Sequence, residues 1–115
     1  MTQAATQDLT ITRGDTETVI ATMTSDGTTP IDITGRTYAA QLRSSPDSTT
    51  IGATRTCTLT TPLSGVVTAV LSATASALLT PGYYYWDLQE TVTATGVVST
   101  VLAGLVTVLA DVTRL

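Results

Sequence analysis

The aromatic residues of this chain are concentrated in one short stretch, and that concentration constrains the fold more than any other feature. Every aromatic side chain except Tyr38 lies within Thr80–Gln89, whose sequence is TPGYYYWDLQ and which includes the single tryptophan. Aromatic side chains bury the largest apolar area per residue, so a core otherwise poor in them should form around this stretch. Pro81-Gly82 is a turn signal, and the β-favouring residues that follow it predict a strand.

Alternation within that strand predicts which side chains face the core. Successive residues of a strand point to opposite faces of the sheet, so Tyr84, Trp86 and Leu88 share one face. The other face carries Asp87 and Gln89, whose polar groups mark it as the solvent side. We therefore expect Tyr84, Trp86 and Leu88 to form the centre of the core.

The same two-residue alternation recurs along the chain and predicts about seven short strands separated by turn signals. That pattern is typical of an antiparallel β-sandwich. The one helical candidate is Ala73–Leu79, a single short helix preceded by Ser72 as a possible N-cap. Arg55 interrupts an inward-facing series and is expected near the open end of its strand. The predicted core contains Val19, Ala21, Tyr38, Leu42, Leu59, Val67, Leu71, Tyr84, Trp86, Leu88, Val106 and Val108.

Length and charge limit the class of protein. A chain of 115 residues corresponds to one domain, here predicted as residues 8–115 after a flexible N-terminal arm at 1–7. The net charge of −4 argues against a nucleic-acid binder, which needs a basic patch. Charged residues make up 12% of the chain, against about 25% in ordinary soluble domains. A weakly charged, apolar surface fits a protein that is part of an assembly.

The residues needed for common catalytic chemistry are missing from the sequence. Histidine is absent, which removes the usual general base and a frequent metal ligand. The one cysteine, Cys57, lies at an apolar strand position and is expected to be a buried, inert thiol. Asp26, Asp32 and Asp47 could converge on a cation at one end of a sandwich, but turn formation explains them better. We expect no enzymatic activity, no catalytic residues, no metal and no cofactor.

Arg13-Gly14-Asp15 matches the triplet that integrins recognise, yet a turn between two strands accounts for it.

The sequence shows no targeting or membrane segment. The N-terminal residues contain no basic segment followed by an apolar run, so no signal peptide is expected. No stretch approaches the roughly 18 apolar residues of a membrane helix, so no membrane association is expected.

Four landmarks in order carry a resemblance to a known family. The first is LTITRGDT at 9–16. The second is IDITGRTY at 31–38 followed by QLRS at 41–44. The third runs from Leu71-Ser72 through LTPGYYYWDL at 79–88, and the fourth joins GLVTV at 104–108 to DVTR at 111–114. Together they resemble small virion proteins of tailed bacteriophages and the immunoglobulin-like N-terminal domain of some phage baseplate upper proteins.

The resemblance implies an all-β, immunoglobulin-like antiparallel β-sandwich and a non-enzymatic structural role in a phage particle. The implied partners are other copies of the chain and other phage structural proteins. The implied location is the virion, in the tail or baseplate rather than the head, after synthesis in the host cytoplasm. The resemblance is to the N-terminal domain of the baseplate proteins, whereas their fibre or receptor-binding region follows that domain. Direct host binding therefore does not follow from the resemblance. The alternatives are a carbohydrate- or host-receptor-binding module and a capsid decoration protein; a small-molecule ligand is not expected.

The last strand predicts where such contacts would form. If Leu102, Gly104, Val106 and Val108 face the core, the opposite face is apolar, whereas a solvated sandwich face should carry polar residues. One interpretation is that the chain itself covers this face, for example with the N-terminal arm. The other is that the face docks on a neighbouring subunit. The predicted interface residues are Val101, Ala103, Leu105 and Leu109, extended by Tyr85, Ile20 and Ala39 if their strands share that sheet.

Overall fold

Strands form most of the chain in the computed structural model, which describes residues 5–24 and 29–113. The strands are β1 (Ala5–Thr6), β2 (Leu9–Thr12), β3 (Glu17–Thr22), β4 (Arg36–Arg43), β5 (Ala53–Thr61), β6 (Val66–Leu71), β7 (Gly82–Val92) and β8 (Val97–Leu109). A short 3-10 helix, Pro62–Ser64, joins β5 to β6, and α1 (Ala73–Ala77) joins β6 to β7. The prediction of an all-β fold with one short α-helix is confirmed.

The strands form one curled sheet in the order β1-β8-β7-β4-β5-β6-β3, with β2 also paired to β8. The start of β5 pairs with β4 and its remainder pairs with β6, so β5 crosses between two layers. One layer contains β1, β2, β8, β7 and β4, and the other contains β5, β6 and β3. The arrangement β4–β7–β8 against β5–β6–β3 is the order of strands C-F-G and D-E-B in an immunoglobulin-type sandwich.

The N-terminal residues differ from the prediction of a flexible arm. Ala5 and Thr6 pair in parallel with Leu102 and Ala103 of β8, and the Gln7 N–H donates to the Ala103 carbonyl at 2.9 Å. β2 also runs parallel to β8, so the sandwich is not purely antiparallel. The flexible-arm prediction is therefore wrong for residues 5–7, because β8 offers an open edge that they pair with. Residues 1–4 lie outside the described residues.

The core lies between the two layers and contains every residue predicted for it. Tyr38, Leu59 and Tyr84 are half-buried at its margin, and the others are buried. Ile11, Ile33 and Leu79 are also buried in this core although they were not predicted. Ile11 enters through the parallel pairing of β2 with β8, which local alternation does not reveal.

Trp86 organises the polar contacts within the core. Its Nε1 donates to the Gln7 carbonyl at 2.8 Å, and the Arg55 guanidinium lies over its ring, 5.3 Å from the centroid. Arg55 is an early residue of β5, but its side chain is buried rather than exposed at an open end, and it pairs with the Glu17 carboxylate. The indole ring and the carboxylate together explain how a cation is tolerated at an inward position.

The connection containing α1 fixes the start of β7. Ser72 caps the helix as predicted, accepting a hydrogen bond from the Ala75 N–H at 3.1 Å. The Tyr84 hydroxyl donates to the Thr80 carbonyl at 2.9 Å and accepts from the Thr80 N–H at 3.0 Å. This contact matches the tyrosine corner that immunoglobulin-type domains form before the same strand. It holds the aromatic strand in register at its entry.

Candidate partner interface

The outward side of β4, β7 and β8 forms the candidate interface, called here the outer face. Strand register aligns its side chains in rungs across the layer. Arg43, Tyr85 and Leu105 form one rung. The next rung toward β1 contains Gln41, Asp87 and Ala103. Tyr85 of β7 and Leu105 of β8 lie side by side, and Ala103 follows in the next rung. The face therefore presents an apolar strip bordered by Gln41 and Arg43 of β4 and by Asp87 of β7.

Large apolar side chains on this face remain in contact with solvent. Tyr85 is 42% exposed, Leu105 46% and Leu109 48%. Tyr85 and Leu105 border a shallow open groove of about 590 Å³, which also reaches Asp8 at one side and Arg43 at the other. β1 and the residues that follow it border the groove without covering Leu105. The chain therefore does not cover this face within the described residues.

The seven predicted interface residues do not all belong to one surface. Tyr85, Ala103, Leu105 and Leu109 lie on the outer face, and Ala39 is exposed on β4 beside Gln89.

Val101 and Ile20 do not belong to it. A bulge in β8 pairs Gln89 with Thr100 and leaves Val101 without a partner on β7, and Val101 packs against the core. Ile20 lies on β3 in the other layer. Val101 was predicted to point outward, which is wrong because the bulge breaks the alternation. Ile20 was predicted to extend the patch only if its strand shared that face, and β3 lies in the other layer.

Opposite charges flank the apolar strip. The Arg43 guanidinium is held by the Gln41 side-chain oxygen at 2.9 Å and by the Ser48 carbonyl at 2.7 Å. Burial raises the pKa of the Asp87 carboxyl above its usual value, while the nearby Arg43 charge acts in the opposite direction. A half-buried carboxylate beside an immobilised guanidinium gives this face the means to recognise a partner's charges as well as its apolar groups.

The segment between β1 and β2 builds the side of the groove. Asp8 accepts a hydrogen bond from the Leu105 N–H at 3.0 Å. Gly104 allows this close approach, since a Cβ at that position would lie 2.0 Å from the Gln7 carbonyl oxygen. Sequence reasoning did not identify Asp8, Gln41 and Arg43 as residues of one groove. Alternation places Gln41 and Arg43 outward but does not show that they share a groove with Asp8.

A second polar cluster lies at the opposite end of β4 and β7. The Glu90 side chain is buried, pairs with Arg36 at 3.2 Å and accepts a hydrogen bond from the Tyr38 hydroxyl. Burial, and then that hydrogen bond to Glu90, raise the pKa of Tyr38 well above its usual value. The ion pair and the hydrogen bond both join β4 to β7, so the cluster ties the two strands together.

The other candidates from the sequence have structural roles where the structure describes them. Asp32 accepts hydrogen bonds from the Thr34 hydroxyl and N–H in a turn, and these lower its pKa. Asp26 lies outside the described residues, which contain no cluster of three or more metal-ligating side chains. Burial raises the pKa of the half-buried Cys57 thiol, which makes its thiolate less available.

The Arg13-Gly14-Asp15 triplet forms the turn between β2 and β3. Buried Ser76 of α1 bonds to it twice, accepting from the Gly14 N–H at 3.0 Å and donating to the Asp15 carbonyl at 2.7 Å. Arg13 pairs with Asp111 at 3.4 Å. A triplet anchored at each of its residues supports the interpretation as a turn rather than as an exposed adhesion loop.

No protein-family model matches the chain, and no curated protein matches it at a significant level. Among the described residues, no helix has the length and apolar character to cross a membrane.

Proposed function

We propose that this chain is a non-enzymatic structural subunit of a bacteriophage particle, in the tail or baseplate, and that it acts through protein–protein contacts made by the outer face. The observation that supports this most directly is the exposure of Tyr85, Leu105 and Leu109 on one sheet face. Exposed apolar residues grouped on one face are a mark of interaction sites. The assignment to a phage particle depends on the four sequence landmarks described above.

The charges around the strip support a specific protein partner rather than indiscriminate adhesion. Arg43 is fixed by two hydrogen bonds and Asp87 is partly desolvated. A partner carrying complementary charges would satisfy both groups while covering Leu105. A stable contact of this kind buries about 800 Å² on each partner.

The test introduces a charge at the centre of the face. Leu105→Asp should leave the isolated domain folded, because the side chain is already 46% exposed. It should block incorporation into particles, because an unpaired carboxylate would be buried in the contact. Occupancy would be measured by cryo-EM reconstruction and by quantitative mass spectrometry of purified particles.

Leu63→Asp is the matched control, since Leu63 is 74% exposed on the 3-10 helix and lies away from the outer face. It should be incorporated at the parental level. Particles that contain the Leu105→Asp protein at full occupancy would show that the contact lies on another face.

A carbohydrate- or receptor-binding module is the second candidate, and one observation favours it. Tyr85 borders the groove beside Gln41, Arg43 and Asp87, which combines an aromatic ring with a few orienting polar groups. Tyr83 is 77% exposed on the same face of β7 but does not border the groove. The test is binding of the protein to an array of bacterial cell-surface glycans. Binding that is lost in the Tyr85→Ala variant would favour this candidate over assembly.

A further inference from the structure

The free edge of the second layer lies at β3. β3 pairs with β6 on one side, and among the described residues no strand pairs with its other side. The Met23 N–H donates to the Gly65 carbonyl on the β6 side. Backbone groups of alternate residues point the same way along a strand, so those of Val19 and Ala21 also face β6. The N–H and C=O groups of Thr18, Ile20 and Thr22 therefore point out of the sheet edge.

This edge lacks the features that normally prevent strand pairing. Natural edges are protected by charged side chains, proline, bulges or a covering segment. The segment from Thr18 to Thr22 has no charge, no proline and no bulge in its pairing with β6. Ile20 at its centre is 66% exposed. Glu17, the charged residue that immediately precedes the segment, is already paired with Arg55.

The sandwich is also open beside this edge. A groove of about 410 Å³ lies between β3 and the part of β8 around the bulge, and it reaches the inward-facing residues Ala21, Met23, Val101 and Leu102. An added strand would extend the β5–β6–β3 layer across this opening and cover apolar side chains at the margin of the core.

The segment is self-complementary about Ile20. In an antiparallel two-fold pairing centred there, Ile20 lies opposite its own copy and Thr18 lies opposite Thr22. All three pairs then use the backbone groups that point outward, so each forms a complete hydrogen-bonded pair. The side chains would meet as an Ile–Ile pair flanked by Thr–Thr pairs, both favourable across strands, with no like charges opposed.

We propose that two copies of this chain associate through their β3 edges in a two-fold symmetric dimer with Ile20 on the axis. The two layers then join as one continuous six-stranded sheet, β5-β6-β3 of one copy continuing into β3-β6-β5 of the other. This contact lies in the opposite layer from the outer face, so it goes beyond the proposed function and can fail independently of it.

The first experiment measures mass in solution by light scattering across a concentration series of the full chain. The parent should dimerise, and Ile20→Lys should lose the dimer, because two ammonium groups would face each other on the axis. Leu78→Lys is the matched control: Leu78 is 81% exposed at the end of α1, and this variant should dimerise like the parent. Circular dichroism would confirm that both variants are folded.

The second experiment tests the register in a Cys57→Ser background with a short bis-maleimide. Ile20→Cys should cross-link to itself, because paired Cα atoms lie about 5.5 Å apart. Thr18→Cys alone should not, because its copy lies four residues along the partner strand, more than about 13 Å away. A mixture of the Thr18→Cys and Thr22→Cys chains should cross-link between unlike chains.

Three results would overturn the proposal. One is a parent chain that stays monomeric over its whole soluble range. Another is a dimer that Leu105→Asp dissociates while Ile20→Lys does not, because the contact would then use the outer face. The third is efficient self-cross-linking of Thr18→Cys, which would mean a different register.

Discussion

Trp86 is the residue whose surroundings explain most about this fold. It is 3% exposed, the Arg55 guanidinium lies over its ring, and its N–H donates to the Gln7 carbonyl. It stands two residues after Tyr84 on β7, which is where antibody domains place the second cysteine of their inter-sheet disulfide. With Cys57 as its single cysteine, this chain joins its layers there by aromatic packing instead.

Trp86→Ala should therefore destabilise the domain by about 3–5 kcal/mol, a large part of the roughly 5–15 kcal/mol that stabilises a typical domain. The loss comes from the cavity and from the unpaired Gln7 carbonyl. Urea unfolding followed by circular dichroism would measure it. Tyr83→Ala, at a side chain that is 77% exposed, should change the free energy of unfolding little. A Trp86→Ala protein with an unchanged urea midpoint would place the centre of the core elsewhere.

Single residues also show where sequence reasoning succeeded and where it could not. Alternation identified Leu42, Val67 and Leu88 as core because each lies in a strand whose polar residues mark the solvent side. It could not assign Arg55, because a buried guanidinium depends on Glu17 and Trp86, which lie far from it in the sequence. Long-range partners of a charge leave no local pattern.

At the level of elements, the shortest strand helps to build the groove of the outer face. β1 contains two residues, too few for any periodicity to predict. Its position depends on Gly104, where the Gln7 backbone passes so close to β8 that a side chain would not fit. The bulge at Val101 is similarly hidden, and it reverses the inward and outward positions beyond it. The prediction of which β8 residues point outward therefore holds at Leu105 and fails at Val101.

Gly104→Ala tests this packing. The added methyl group should push the Gln7 backbone off β8, lower the free energy of unfolding and remove the exchange protection of the Gln7 amide, which hydrogen exchange would detect. The same substitution should cost much less in a chain that lacks residues 1–7, because the backbone clash with Gln7 is gone and only the movable Asp8 carboxylate stays close. An equal cost in both backgrounds would mean that Gly104 is needed for another reason.

At the level of the whole molecule, the sequence predicted the fold class but not the order in which the strands pair. Turn signals and alternation gave the strand positions and the sandwich, and the short helix before the aromatic strand followed from Ser72 and the alanines. The curl of the sheet through β5 was not predictable, because it depends on β5 pairing with β4 at one end and β6 at the other. For the same reason the sequence left open whether Ile20 shares a layer with β8, and β3 in fact lies in the other layer. Sequence alone therefore identified Leu105 and Ile20 as outward apolar residues but could not show that they lie in different layers.

The shared strand predicts how the molecule unfolds. Because β5 belongs to both layers and β2 near one end of the chain pairs with β8 near the other, neither layer can separate without exposing the common core. Unfolding should be a single cooperative transition, with Trp86 fluorescence and far-UV circular dichroism following one curve in urea. Folding should take milliseconds to seconds, since most pairings join distant segments. If Trp86 fluorescence changes at a lower urea concentration than the circular dichroism, the β7–β8 layer opens first and the two layers are not one unit.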